Sequence, residues 1–122
     1  MINKKPSALV GLNDDFVADT VKLTLDYLCY EYVVARNPDE ILEKARERPF
    51  DAYLVELNLG HPRSPDISPA LNVYEAVKER VEAGYARFIG ISGTPEALEA
   101  AEQAHIPYMG KTDFSPLDYF KK

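Results

Sequence analysis

Asp51-Ala52-Tyr53-Leu54-Val55-Glu56-Leu57-Asn58-Leu59-Gly60 is apolar or aromatic at nearly every position from Ala52 to Leu59, and it closes on Asn and Gly, which favour turns. The run is too short for a free-standing helix. It reads as a strand from Ala52 to Leu57 buried on both faces, the pattern of a parallel sheet covered on either side by helices. Glu56 interrupts that pattern. A carboxylate near the carboxyl end of a buried strand is costly to desolvate unless a cation or hydrogen bonds compensate it. The other residues that break apolar patterns where strands end are Asp14, Asp15, Ser92 and Lys111.

Upstream, Ala8 to Leu12 is a short apolar run ending in Asn13-Asp14-Asp15, which predicts a first buried strand closed by a polar cluster. Val17, Val21, Leu25 and Leu28 then recur at helical spacing, with Asp14 or Asp15 as N-cap. Tyr32 to Ala35 is β-branched and aromatic, as a second strand would be. Asn37-Pro38-Asp39-Glu40 places a cap, an N1 proline and two acids where a helix start prefers them.

Downstream, Gly60 to Pro69 contains three prolines and no periodicity, so it predicts a long, stiff loop leaving the Glu56 end of the strand. A third helix is expected from about Pro69 to Ala83, a fourth strand from Arg87 to Ile91, and a fourth helix opened by Thr94-Pro95-Glu96. Ile106 to Lys111 reads as a fifth strand, and Ser115-Pro116-Leu117-Asp118 starts a last helix of about two turns. Strands and helices alternating five times predict a single α/β domain over residues 1–122, a parallel sheet wound on both faces by right-handed crossovers. Ligands of such sheets bind beyond the carboxyl ends of the strands, where Asp14, Asp15, Glu56, Ser92 and Lys111 are expected to meet.

Composition narrows the function classes. With 20 acidic and 14 basic residues the net charge is −6, which argues against direct binding to nucleic-acid phosphates. No apolar run approaches the roughly 20 residues of a membrane span, and the first residues lack a secretory pattern, so a soluble cytoplasmic protein is expected. Cys29 is the single cysteine, which excludes an internal disulfide or a cysteine zinc site. Three converging carboxylates repel one another, and a hard divalent cation is one remedy. Oxygen ligands at strand ends suit Mg²⁺ or Mn²⁺, with Asp14, Asp15 and Glu56 as carboxylates and Asn58 supplying its backbone carbonyl. Ser92 and Lys111 would then face an anion beside the metal, as in sites that handle phosphoryl groups. An ion pair between Glu56 and Lys111, with no metal, is an equally complete electrostatic solution.

These residues, from Ala8 to about Lys111, resemble the receiver domain of two-component response regulators. Asp14-Asp15 after the first strand, Ser92-Gly93 after the fourth and Lys111 closing the fifth stand where that family keeps its metal-binding acids, hydroxyl switch and phosphoryl-binding lysine. Tyr108 matches the family's rotating aromatic. The resemblance implies a flavodoxin-like strand order 2-1-3-4-5, weakly bound Mg²⁺, and a protein partner: a kinase, a downstream effector or a second copy of the chain. It departs from the family at the phosphoacceptor, an aspartate there and Glu56 here; at Thr112, where a proline is usual; in its longer loop from Gly60 to Pro69; and in its short last helix. An added methylene displaces the carboxylate by roughly 1 Å, enough to cost about a hundredfold where in-line attack must be aligned. The expected function is a non-enzymatic, phosphorylation-independent signalling module; the alternative is a conventional phosphoacceptor using Glu56. A flavin-binding protein on the same topology is disfavoured, because Asn13-Asp14-Asp15 repels phosphate.

Overall fold

The computed structural model describes residues 5–121. Five strands alternate with five helices: β1 (Ser7–Gly11), α1 (Asp15–Tyr27), β2 (Glu31–Ala35), α2 (Pro38–Glu47), β3 (Ala52–Glu56), α3 (Ser68–Glu82), β4 (Arg87–Ser92), α4 (Pro95–Gln103), β5 (Tyr108–Gly110) and α5 (Pro116–Lys121). All strand pairings are parallel and the order is β2-β1-β3-β4-β5, the doubly wound, flavodoxin-like arrangement expected. Alternate residues feed opposite faces, because strand side chains have a period of two. Leu9, Tyr53 and Val55 pack with Ile41 of α2, Val73 of α3 and Ala97 of α4, whereas Val10, Leu54 and Ile91 pack with Val21 and Leu25 of α1 and Phe120 of α5.

Local chemistry sets the helix ends. The Asp14 carboxylate accepts hydrogen bonds from the Phe16 and Val17 amides at 2.8 and 3.4 Å, which makes Asp14, rather than Asp15, the cap of α1. At α2, Asn37 accepts from the Glu40 amide at 2.9 Å while Glu40 reaches back to the Arg36 amide, also at 2.9 Å. Cys29 and His105 follow α1 and α4 at φ 61° and 59°, where glycine would be the ordinary choice. One expected strand shrinks. β5 covers Tyr108–Gly110 instead of Ile106–Lys111, since Pro107 has no N–H to give an edge ladder. α5 is the short last helix expected, six residues long, and Phe120 near its end is buried in the core. Among the described residues no helix is long and apolar enough to cross a membrane.

Candidate functional site

The carboxyl end of β3 delivers Glu56 to the crevice between β1 and β4, and the side chain is only 3% exposed. Both its oxygens are engaged. Oε1 accepts from the Asn13 amide at 2.9 Å, and Oε2 accepts from Lys111 Nζ at 3.1 Å. Lys111 follows β5 and reaches across β4, its own amide held by the Ser92 carbonyl at 2.9 Å. The same Nζ stands 4.0 Å from Asp14 Oδ2. A buried charge without a partner would be expelled or neutralised; here it meets a cation and a main-chain donor.

Glu56, Lys111 and Asp14 are therefore brought together. Asp15, expected among the converging carboxylates, is turned away from them and pairs with Arg36 at the end of β2, largely in solvent. The reason is register. Gly11 pairs with Val55, so the chain leaves β1 with Asn13 beside Glu56 and Asp14 one step beyond, at the helix cap. Ser92 is buried, and its hydroxyl accepts from the Thr94 amide at 2.9 Å, closing the turn into α4. Tyr108 stands on the edge strand, 38% exposed.

Asn13 is the residue that pattern reading passes over. Its main chain serves Glu56, its side-chain amide donates to the Asn58 carbonyl at 3.3 Å, and its Oδ1 accepts from the Gly60 amide at 2.7 Å. It ties the ends of β1 and β3 together. The signal available was its place as the first polar residue after the β1 run. Asn58 is buried and holds the loop that follows: its Nδ2 donates to the carbonyls of Pro62 and Ser64 at 3.0 and 2.9 Å. Thr94 donates to the Pro62 carbonyl from the other side at 3.3 Å. The proline-rich loop is thereby strapped to the start of α4.

This donor set does not fit a divalent cation as it is arranged. The Asn58 carbonyl already accepts two hydrogen bonds, from His61 N at 2.9 Å and from Asn13. One Asp14 oxygen caps α1, each Glu56 oxygen already accepts a hydrogen bond, and the Lys111 ammonium occupies the position of positive charge. Among the described residues no cluster of three or more acidic, histidine or cysteine side chains is placed to hold a metal.

A parallel five-stranded sheet in the order 2-1-3-4-5, with its polar cluster at the carboxyl ends, defines the class of receiver-like flavodoxin folds, and solved structures agree. The chain is similar to a CheY-like receiver domain protein from Methanospirillum hungatei, at 21% identity and a TM-score of 0.69, covering 97% of this chain and 90% of that one. It is similar to a chemotaxis response regulator of Vibrio cholerae at 18% identity and a TM-score of 0.68, covering 97% and 95%. The receiver domain of a sensor histidine kinase from Pseudomonas aeruginosa, solved with magnesium coordinated in its active-site cleft, matches at 13% identity and a TM-score of 0.70, covering 97% and 93%. No family model matches the sequence, and no curated protein does.

Proposed function

We propose that the chain is an atypical receiver domain that signals by binding a protein partner and does not depend on phosphorylation. The observation that supports this reading is the state of Glu56, the residue the resemblance sets at the phosphoacceptor position: it is buried, with one oxygen on a main-chain amide and the other on Lys111. A nucleophile needs a free, aligned oxygen, and the longer side chain displaces it by roughly 1 Å. Lys111, the phosphoryl-binding lysine by the resemblance, is paired with Glu56 instead. Magnesium takes a minor place in this reading, because a cation would have to displace Lys111 from between Asp14 and Glu56. Its binding is expected to be weak, and the domain needs no metal and performs no catalysis. Kinase, effector or second copy remain the classes of partner, in a cytoplasmic setting.

Intact mass after incubation with acetyl phosphate and Mg²⁺ tests the proposal. The expected result is no added phosphate on the unmodified chain, and partial labelling of Glu56→Asp. A phosphate adduct mapped to Glu56 would establish the conventional phosphoacceptor instead.

A further inference from the structure

At the opposite end of the sheet from Glu56, the amino ends of the first three strands frame a small polar cavity of about 150 Å³. It is lined by Lys5 and Ser7 from the β1 segment, Glu31 at the start of β2, Arg48 and Asp51 from the connection into β3, and Arg80 from the last turns of α3. Three cations and two carboxylates face this space, yet none of the five pairs with another. The ion pairs among the described residues are Arg36 with Asp15, Lys44 with Glu47, and Lys111 with Asp14 and Glu56.

The cations are held by other means. Arg48 lies over the Phe50 ring, its guanidinium carbon 4.4 Å from the centroid, which fixes the group without using up its N–H donors on a carboxylate. Arg80 reaches the carbonyls of Phe50 and Tyr85 through Nη2 alone, at 3.5 and 3.4 Å, the long limit of a hydrogen bond. Its Nε is out of contact with solvent and so out of reach of any anion in the cavity, which leaves Nη1, with no protein partner among the described residues, as the group that can meet one. Asp51 pairs with none of the three cations. Its Oδ2 accepts from the Ser7 amide at 2.8 Å and lies 3.4 Å from the Ser7 hydroxyl, so its charge is committed to β1.

We infer that this cavity binds a phosphate-type oxyanion, with Arg48, Arg80 and Lys5 as its cationic partners. Guanidinium groups present planar, paired donors that match tetrahedral oxyanions, and Lys5 at the exposed rim adds a mobile point charge. The volume equals about five water molecules at ~30 Å³ each, room for one such anion and a bridging water or two. The site lies far from the Glu56 crevice, so its occupancy and the phosphorylation state of Glu56 are separate questions.

The test is a titration of the intact chain with inorganic phosphate, at constant ionic strength set with chloride, followed by amide chemical shifts. Saturable shifts at Ser7, Glu31, Asp51 and Arg80 are expected, and Arg48→Gln and Arg80→Gln should each weaken binding about tenfold, the effect of losing one charged hydrogen bond. Glycerol 3-phosphate run in parallel distinguishes the source: tighter binding than phosphate assigns a phosphate carried on a small molecule, weaker binding assigns the free ion. Shifts that never saturate, or that persist unchanged in a folded Arg48→Gln/Arg80→Gln variant, overturn the inference. Should that variant fail to fold, Lys5→Gln, at an exposed position, decides, and unchanged affinity there overturns it equally.

Discussion

Glu56 and Lys111 depend on each other. Removing the ammonium leaves a carboxylate buried with one main-chain donor, the situation in which a broken pair costs most. Lys111 keeps a quarter of its side chain in solvent, so the loss falls at the lower end of the range for buried pairs. Lys111→Met should lower stability by about 3 kcal/mol in urea unfolding, and adding Glu56→Gln should restore most of it, since an amide leaves no charge behind. A double variant no more stable than the single would show that the pair is not what Lys111 contributes. Glu56 and Lys111 were legible in the sequence because each breaks an apolar pattern. Asn13 was not, because its importance lies in register, which decides that the first polar residue after β1, and not the acids behind it, lies against Glu56. The same register turns Asp15 to Arg36, a partner that no local spacing announces.

Among the elements, α5 is the shortest helix and the most heavily tied. Tyr119 donates to the Tyr53 carbonyl at 3.0 Å, Arg87 lies over the Tyr119 ring and donates to the Tyr119 carbonyl, and Tyr30 donates to the Phe120 carbonyl at 2.7 Å. Six residues cannot hold a helix in water, so these contacts hold it. Burial pushes the Tyr119 hydroxyl well above its ordinary value of 10.0, and burial raises Tyr53 as well. The folded chain therefore keeps these protons more tightly than the unfolded chain does. Their contribution is fully present below pH 10 and is lost as the pH rises beyond it. Urea midpoints should fall steeply above pH 10, and Tyr119→Phe should flatten that fall while costing about 1 kcal/mol at neutral pH for the lost hydrogen bond. A second element-scale expectation concerns β1. A methyl on Gly11 would sit 2.5 Å from Ile41 Cδ1 and 2.9 Å from Leu59 Cδ2, so Gly11→Ala should destabilise by about 1–3 kcal/mol through overpacking. The order and type of all ten elements could be read from periodicity and caps. The bounds of β5 could not, because an edge strand is defined by the partner it finds.

For the molecule as a whole, exposed apolar side chains gather at two places. At the smaller, Tyr108 and Met109 point to opposite sides of the edge strand and Leu117 stands on α5, each about two-fifths exposed. The larger lies on α1, where Phe16, Leu23 and Tyr27 are 79%, 71% and 78% exposed and share one stripe with Thr20 at coiled-coil spacing. Contiguous exposed apolar surface on a small protein usually marks an interaction site. Phe120, on the short last helix, is buried and belongs to the core instead of such a face. Leu23→Asp and Tyr108→Ala should each leave the melting temperature nearly unchanged; the one that lowers association in sedimentation or pull-down identifies the working face. Variants that lose stability without changing association would show both stripes to be mere surface.

The three-residue length of β5 also sets a clock. Lys111 is anchored to the sheet by the hydrogen bond its main-chain N–H donates to the Ser92 carbonyl, at the end of the shortest strand, on an open edge, where local opening is least costly. Each time that edge frays, Glu56 loses its counter-charge while β1 and β3, paired on both sides, stay closed. Amide hydrogen exchange at Met109 and Lys111 should run far ahead of that at Val10 and Leu54, and Glu56→Gln, which weakens the tether, should quicken it further at the edge alone. The lifetime of the charge pair is thus the lifetime of a strand end.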